Sequence, residues 1–136
     1  MDGLSEKGIQ PDQKHIVTGD LTQRDGFKQA NQLLDLPNPP SAIAAGNDLM
    51  ALGAISAAQK RGLVVGRDIA ITGFDNTPLA EHSHPPLTTI HQPIYKIGDM
   101  VCDMLIALIQ GETPQERNVL MEPTLVIRES CGGSEA

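Results

Sequence analysis

Short apolar runs alternate along this chain with longer segments in which apolar residues recur every three or four positions. The runs are rich in isoleucine, valine, threonine and alanine and are bounded by turn-forming residues, a pattern typical of β-strands. They predict strands over residues 14–20, 41–45, 68–74, 87–92 and 120–130. The second and third runs are continuously apolar rather than alternating, which indicates strands buried on both faces.

The longer segments carry signals for the start and the end of a helix. Thr22 stands three residues before Asp25, as in a capping box, and begins the first helix. Asn47 is a favourable cap for a second helix that runs to about residue 61, before Gly62. Pro93 suits the first turn of a third helix. The apolar stripe of that helix, which Gly111 ends, consists of Ile97, Val101, Met104, Leu105 and Leu108.

Strands that alternate with helices of this length predict βαβ units and a parallel sheet. The expected fold class is α/β, with an open and mostly parallel sheet that carries helices on both faces. Ligands of such sheets bind beyond the carboxyl ends of the strands. Polar turns follow three of the runs, around Asp20, at Asn47-Asp48 and at Asp75-Asn76. The sequence therefore predicts a ligand site built from polar side chains at this edge.

Each polar residue near these turns has a structural as well as a functional interpretation. Asn47 caps a helix, and its amide could also face a ligand hydroxyl or carbonyl. Asp75 could form an Asx turn, or its carboxylate could accept hydrogen bonds from vicinal hydroxyls or ring N–H groups. Its position at the ligand edge of a strand favours the second interpretation. Gln92 could bind in the same way or be an exposed connector, and the sequence leaves both open.

The helix after Asn47 is apolar on nearly every side. Its apolar residues away from the main stripe are Leu49, Leu52 and Ile55. A helix of this kind must be covered all round. One side is expected to pack on its own sheet, and the other on a partner subunit or a local loop. The partner subunit is favoured, because large wet apolar patches are rare on monomers.

Composition narrows the classes of function. The formal charge is −7, from 17 acidic and 10 basic residues, and no basic run is present that would displace counterions from a phosphate backbone. The first residues lack the apolar run of a signal peptide or a membrane anchor. Two widely spaced cysteines, Cys102 and Cys131, are compatible with a reducing compartment. A cytoplasmic location without membrane contact is therefore expected.

No motif for catalysis, metal binding or cofactor binding is recognisable in the sequence. The segment GNDLMALG lacks the lysine and hydroxyl of a phosphate-binding loop, and no serine stands in a nucleophile elbow. The residues His82, His84 and His91 have no further ligands at a spacing suited to a tetrahedral site. The expectation is a protein that is not an enzyme and has no catalytic residue, metal or cofactor.

Three motifs, in this order, resemble the lactose-repressor/galactose-repressor family of bacterial transcription regulators. They are NDLMALGA, DIAITGFDN and PPLTTIHQP, and the resemblance extends over roughly residues 8–131. It implies an effector-binding core with a periplasmic-binding-protein fold, in which two α/β subdomains close on a small effector. An intact member also carries an N-terminal helix-turn-helix domain, which is expected to be absent here together with the first part of the core.

The resemblance also implies a division of the chain. Residues 1–91 and 121–131 would form the C-terminal effector-binding subdomain, and residues 132–136 a tail. Residues 92–120 would cross to the missing N-terminal subdomain, place the helix after Pro93 there and cross back. Without that partner, the apolar stripe of the helix is expected to dock on the remaining sheet, in a swapped dimer or on another chain.

The resemblance assigns roles to particular positions. Asn47 and Asp75 match residues that contact the effector, and Gln92 matches a position at the hinge beside it. Leu21 falls where several members carry an aromatic ring that stacks on the ligand, so the leucine removes that interaction. The resemblance also matches the helix Asn47–Arg61 and the loop around Pro78–His84 to a dimer face, and the interface residues expected there are Leu49, Leu52, Ile55, Pro78 and Leu79.

The implied function is allosteric. A small sugar or a nucleobase-like effector would bridge the two subdomains and shift their orientation, and this shift would change how a homodimer presents its DNA-binding domains. Such a shift requires the effector to bind one orientation more tightly than the other. DNA would be contacted only through the missing helix-turn-helix.

Two other functions remain open from the sequence. A periplasmic sugar-binding protein of a transport system would have the same fold but less need for a dimer face. An enzyme that uses Asp48 and Asp75 as acid and base would need two carboxylates that flank one bond. The turns at the strand ends offer only hydrogen-bonding groups for that purpose.

Overall fold

The computed structural model describes residues 2–10, 12–113, 116 and 118–133. Helices and strands alternate along most of the chain. The helices are α1 (Asp2–Glu6), α2 (Gln23–Leu34), α3 (Asp48–Lys60), α4 (Pro78–His82) and α5 (Ile94–Ile109). The strands are β1 (Ala42–Ala44), β2 (Ala70–Thr72), β3 (Thr89–His91) and β4 (Thr124–Val126), and short 3-10 helices cover Gln13–His15 and Glu129–Cys131.

The strands form an open, mostly parallel sheet, as predicted. β1 pairs with β2 in parallel, and β3 pairs with β4 in antiparallel. Two parallel bridges, Thr72 with Thr88 and Asp75 with His91, join the two pairs. Among the described residues, the strand order is therefore β1-β2-β3-β4, and the edge strand β4 runs against the others. Pro123 directly precedes β4, which is where an edge strand tolerates proline.

The strand predicted over residues 14–20 does not form. Gln13–His15 is a 3-10 helix, whose cap Asp12 accepts a hydrogen bond from the backbone N–H of Lys14. A groove of about 750 Å³ separates Ile16 and Val17 from β1. The prediction is wrong because a strand needs a hydrogen-bonded neighbour. Among the described residues, β1 is paired only with β2, on its other side.

Both predicted helix caps are confirmed. The Thr22 side chain accepts a hydrogen bond from the backbone N–H of Asp25, and the Asn47 side chain accepts one from that of Met50. The helices that follow, α2 and α3, cross closely at two glycines. A Cβ on Gly26 would collide with the backbone of Met50, and a Cβ on Gly53 would collide with the backbone between Gln23 and Phe27.

The core is aliphatic and rich in alanine, in a chain that has only two phenylalanines, one tyrosine and no tryptophan. It gathers around Ile71 of β2, Leu87 before β3 and the inner face of α3. Ile55 belongs to this core and is only 3% exposed. It therefore has no surface to offer a partner, and its prediction as a dimer-interface residue is wrong. Helical periodicity alone could not reveal that α2 and the sheet together bury this side of α3.

Helix α5 has no buried residue. Four of the five residues of its predicted stripe are exposed and Met104 is half-buried, and Leu105 keeps 55% of its surface accessible. The helix ends as predicted, because Gly111 adopts a left-handed φ of 79° and Glu112 donates its N–H to the carbonyl of Ala107. Of the predicted coverings of the stripe, docking on the remaining sheet does not occur in the described chain. None of the described helices has the length and apolar character needed to cross a membrane.

Candidate ligand-binding site

The carboxyl ends of the strands bring three predicted site residues to one rim. The backbone N–H of Asp48 donates to the carbonyl of Phe74, which joins the turn after β1 to the turn after β2. The N–H of Asp75 donates to the carbonyl of Ile90, which joins the turn after β2 to β3, and both bonds measure 2.9 Å. Asn47, Asp75 and Gln92 therefore lie on neighbouring strand ends, as the sequence predicts for a parallel sheet.

Asn47 holds two segments together with its amide. Its Oδ1 accepts a hydrogen bond from Met50 N at 2.8 Å, and its Nδ2 donates to the carbonyl of Leu21 at 3.0 Å. A primary amide has two donor hydrogens and two acceptor lone pairs. One of each is left, so the half-buried side chain can cap the helix and still bind a ligand.

Leu21 lies in the turn that leads into α2. Its side chain is 57% exposed, and its backbone has a φ of 64°. Asp20 orders the same turn, since its Oδ1 accepts hydrogen bonds from both the backbone N–H and the hydroxyl of Thr22. These bonds, the one from the hydroxyl first, lower the pKa of the Asp20 carboxyl. An ionised carboxylate therefore stands beside Leu21 at the rim.

Asp75 and Gln92 contact each other directly. Gln92 Nε2 donates to Asp75 Oδ1 at 2.9 Å, and both side chains are half-buried. An ionised carboxylate can accept about four hydrogen bonds, so Asp75 retains acceptor capacity for a ligand. Gln92 is thus more than an exposed connector, because it orients the carboxylate that the sequence singled out.

Backbone strain concentrates at this rim. Among the described residues, the non-glycine residues with positive φ are Leu21, Asp75 and Asn76, at 64°, 113° and 55°. Such conformations cost on the order of 1–3 kcal/mol each and persist where the surrounding structure holds them. All three lie in turns at the carboxyl edge of the sheet. Strain that gathers at one edge is a physical indication of a functional site.

Asp48 is turned inward and fully buried, with 0% exposure. Its Oδ1 accepts a hydrogen bond from Thr89 Oγ1 at 2.6 Å, and its Oδ2 accepts bonds from Thr77 N at 2.6 Å and Thr77 Oγ1 at 2.9 Å. Gly73 leaves room for the Asp48 carboxylate, since a Cβ at residue 73 would lie 2.5 Å from Asp48 Oδ1. Asp48 therefore ties the start of α3 to the turn before α4 and to β3, and it cannot serve as an acid or base on a bound ligand.

Sequence reasoning missed Arg128 as a member of the rim. Arg128 Nη2 donates to Asn76 Oδ1 at 2.9 Å, and Asn76 Nδ2 lies 3.3 Å from His91 Nδ1. Arg128 follows the last strand, far along the chain from the other rim residues, so no local pattern marks it. No cluster of three or more potential metal ligands occurs in the part of the chain that the structure describes.

The remaining dimer-interface candidates differ in exposure. Leu79 is 55% exposed on α4, and Pro78 beside it is also exposed. Leu49 is exposed in the first turn of α3, whereas Leu52 is half-buried and packs against the core. Leu49, Pro78 and Leu79 therefore have apolar surface available to a partner.

Comparison with protein families and with known proteins identifies the relatives of this chain. Residues 2–131 match the family described as periplasmic binding protein-like domain. The chain belongs to this family. Within it, the chain is 45% identical over 127 residues to the HTH-type transcriptional repressor CytR of Escherichia coli strain K12. It is 37% identical over 127 residues to the HTH-type transcriptional repressor PurR of Serratia proteamaculans strain 568. Each match covers 93% of this chain and 37% of the repressor, so the chain spans little more than a third of these relatives.

Solved structures of the same periplasmic-binding-protein-like fold superpose closely on the chain. The lac repressor dimer bound to operator and the anti-inducer ONPF matches with a TM-score of 0.86 and 37% identity, over 96% of this chain and 38% of that chain. A complex of the transcriptional regulator CelR with cellobiose matches with a TM-score of 0.89 and 33% identity, over 95% of this chain and 39% of that chain. The predicted kinship with lactose-repressor-like regulators is confirmed.

Proposed function

We propose that this chain is the effector-binding and dimerisation part of a bacterial DNA-binding transcriptional repressor. The convergence of Asn47, Asp75 and Gln92 on one strained rim carries the proposal, together with relatives that are repressors. DNA would be bound by a helix-turn-helix in another part of the complete protein, since this chain has a formal charge of −7 and no basic run. A cytoplasmic location follows from that role.

The rim suits a small polar effector such as a sugar or a nucleobase-like compound. The Asp75 carboxylate is an acceptor for a pair of hydroxyl or ring N–H donors. The Asn47 amide adds one donor and one acceptor, because its other positions are used by Met50 and Leu21. Leu21 offers an exposed apolar side chain but no aromatic face for stacking. Hydrogen bonding would therefore dominate recognition on this side of the effector.

The second half of the site would come from another subdomain. We assign residues 1–91 and 121–131 to one subdomain and residues 92–120 to a segment that crosses to the other. Two features support this division: α5 buries none of its residues against the described chain, and its stripe is almost wholly apolar. An exposed stripe of this kind would be costly in water. A second subdomain that packs on the stripe explains why these positions of α5 are apolar.

Effector binding would reach the crossover through Gln92. This residue donates to Asp75 and is followed by Pro93 and then by α5. An effector that forms hydrogen bonds with Asp75 would weaken or strengthen the bond between Gln92 and Asp75. This would change how firmly the start of the crossover segment is attached to the rim. The effector would thereby favour one relative orientation of the subdomains, as allosteric coupling requires.

A thermal-shift screen of the complete protein tests this proposal. The compounds are ribose, glucose, cellobiose, hypoxanthine, adenosine and glucose 6-phosphate. A ligand at a hundredfold excess over its Kd stabilises the folded state by about 2.7 kcal/mol, which raises the Tm by several degrees. We expect at least one compound to do so, and Asp75→Asn to abolish the increase because the amide loses the charged acceptor.

Asp68→Asn is the matched control, since Asp68 lies before β2, at the opposite end of that strand from Asp75. It should retain the ligand-induced increase. If Asp75→Asn responds to the ligand as strongly as the wild type does, Asp75 is not part of the site. If none of the six compounds raises the Tm, the proposed effector chemistry is wrong.

Homodimerisation would use Leu49, Leu52, Pro78 and Leu79. The exposed members form an apolar surface on α3 and α4, which pack together. Replacement of Leu79 by aspartate would put a charge into this contact without disturbing the core, since the side chain is already half accessible. We expect L79D to convert a dimer of the complete protein into monomers in sedimentation velocity. V64D at another exposed apolar position should remain dimeric, and a dimeric L79D protein would exclude this surface.

A further inference from the structure

The turn at Asp75 and Asn76 is held in a left-handed conformation that is uncommon outside glycine, although Asp and Asn adopt it more readily than most other residues. Both have positive φ angles, although neither is glycine. The backbone N–H of Asp75 has a strong acceptor in the carbonyl of Ile90 at 2.9 Å. The N–H of Asn76 has only a longer bond of 3.3 Å to Thr89 Oγ1. The turn therefore depends on further support at Asn76.

Arg128, which follows β4, supplies that support. Its Nη2 donates to Asn76 Oδ1 at 2.9 Å, and its Nη1 donates to the carbonyl of Leu87 at 2.8 Å. Its backbone is anchored too, since Arg128 N donates to Thr88 Oγ1 and that hydroxyl donates to the carbonyl of Arg128. Among the described residues, the guanidinium forms no ion pair. The Nη1 and Nη2 donors of Arg128 bond to neutral oxygens, the carbonyl of Leu87 and the side-chain amide of Asn76.

We propose that Arg128 is a positioning residue of the effector site, which acts through Asn76 to hold the left-handed turn and so to orient Asp75. This assignment rests on the effector-binding role proposed above. A guanidinium is a rigid fork that reaches two oxygens at once. A lysine ammonium is a single point of charge and cannot hold Leu87 and Asn76 in the same way.

The clamp that Arg128 forms on Asn76 and Leu87 links the turn to the rest of the chain. Arg128 follows β4, and Gln92, which holds Asp75, follows β3. β3 and β4 pair with each other and flank the segment that carries α5. The turn is thus held by Gln92, which follows the strand that leads into this segment, and by Arg128, which follows the strand that leads out of it. A shift of the strand pair would change the orientation of Asp75, and the reverse also holds.

Amide hydrogen exchange measured by NMR on the full chain tests the clamp. We expect R128A to speed exchange of the Asn76 and Thr77 amides at least tenfold, and R128K to act in the same direction. The amide of Gly73, which donates to Thr88 within the sheet, should change less than threefold. In an Asn76→Gly background, R128A should change the turn amides less than threefold, because the oxygen that Arg128 holds is gone and glycine tolerates positive φ.

Arg67→Ala is the matched control, because Arg67 pairs with Asp68 in an exposed turn elsewhere. It should leave the Asn76 and Thr77 amides unchanged. Unchanged turn amides in R128A would overturn the proposal. Equal acceleration of Gly73 and the turn, in both backgrounds, would also overturn it, since this is the result of a merely structural role. Neither result requires an effector, so both would leave the effector-binding proposal standing.

Discussion

At the scale of single residues, the adjacent polar side chains of Asn47 and Asp48 have different structural roles. The sequence predicts a helix cap here, and the structure assigns it to Asn47, whose amide also holds Leu21. Asp48 turns in the opposite direction and accepts three hydrogen bonds from two threonines. A buried carboxylate is stable only if such donors satisfy it. The threonines are far away in the sequence, so this role could not be predicted.

Removal of the Asp48 carboxylate should be strongly destabilising. Asp48→Ala leaves the N–H and hydroxyl of Thr77 and the hydroxyl of Thr89 without their buried acceptor. The expected loss in the free energy of unfolding is about 3 kcal/mol or more, measured by urea denaturation and circular dichroism. Asp103→Ala, on the exposed side of α5, should stay within about 0.5 kcal/mol of the wild type. Similar values for the two variants would mean that Asp48 is not a structural tie.

At the scale of elements, the packing of α2 on α3 determines where the rim turns lie. The helices approach so closely that Gly26 and Gly53 face backbone atoms of the other helix. α3 begins at Asn47 and α2 begins just after Leu21, so this contact sets the distance between two of the rim turns. Both helices were predicted from caps and periodicity. Their crossing was not, because a glycine inside a helix does not reveal what it packs against.

A methyl group at Gly53 should weaken this packing. Alanine favours an isolated helix by about 1 kcal/mol over glycine. Here the new Cβ would lie 2.6 Å from the Phe27 N atom, and overpacking of this kind costs about 1–3 kcal/mol. Since the helical gain offsets part of this cost, we expect a net loss of up to about 2 kcal/mol in the free energy of unfolding for Gly53→Ala.

Gly98→Ala provides the control for this prediction. Gly98 lies inside α5, and a Cβ there meets nothing within 4 Å. The variant should therefore be neutral or more stable than the wild type in the same denaturant titration. A Gly53→Ala protein that gains stability as Gly98→Ala does would mean that the two helices can separate at little cost.

At the scale of the whole molecule, the exposed stripe of α5 and the groove beside β1 mark surfaces that the described chain does not cover. The stripe is apolar, and the groove runs along the side of β1 that lacks a paired strand. The repressors that match this chain are nearly three times as long as the matched region, since only 37% of each is covered. A protein of that length has the material to cover both surfaces.

Leu105 tests whether α5 is covered in the complete protein. If another subdomain packs on the stripe, Leu105→Ala should lower the free energy of unfolding by about 2–4 kcal/mol, as for other buried leucines. Val64→Ala, at an exposed position, should change it by less than about 0.5 kcal/mol. Both are measured by denaturant titration of the complete protein. A neutral Leu105→Ala would mean that α5 remains exposed there.

The sequence by itself determined the alternation of strands and helices, the caps at Thr22 and Asn47, and the gathering of Asn47, Asp75 and Gln92 at one edge. These follow from local periodicity, cap chemistry and the fact that parallel strands end on the same side. The strand predicted over residues 14–20 failed because pairing depends on contact with β1, which is distant in the chain and lies across the groove from this segment.

Only the tertiary structure decided which polar groups face inward and which apolar groups are already covered. It buried Asp48 beneath two threonines, brought Arg128 to Asn76 from the far end of the chain, and placed Ile55 in the core. Each of these depends on contacts between segments that local sequence patterns do not relate. The same contacts hold the strained turns at the rim, because only groups from several segments together can offset the cost of positive φ angles.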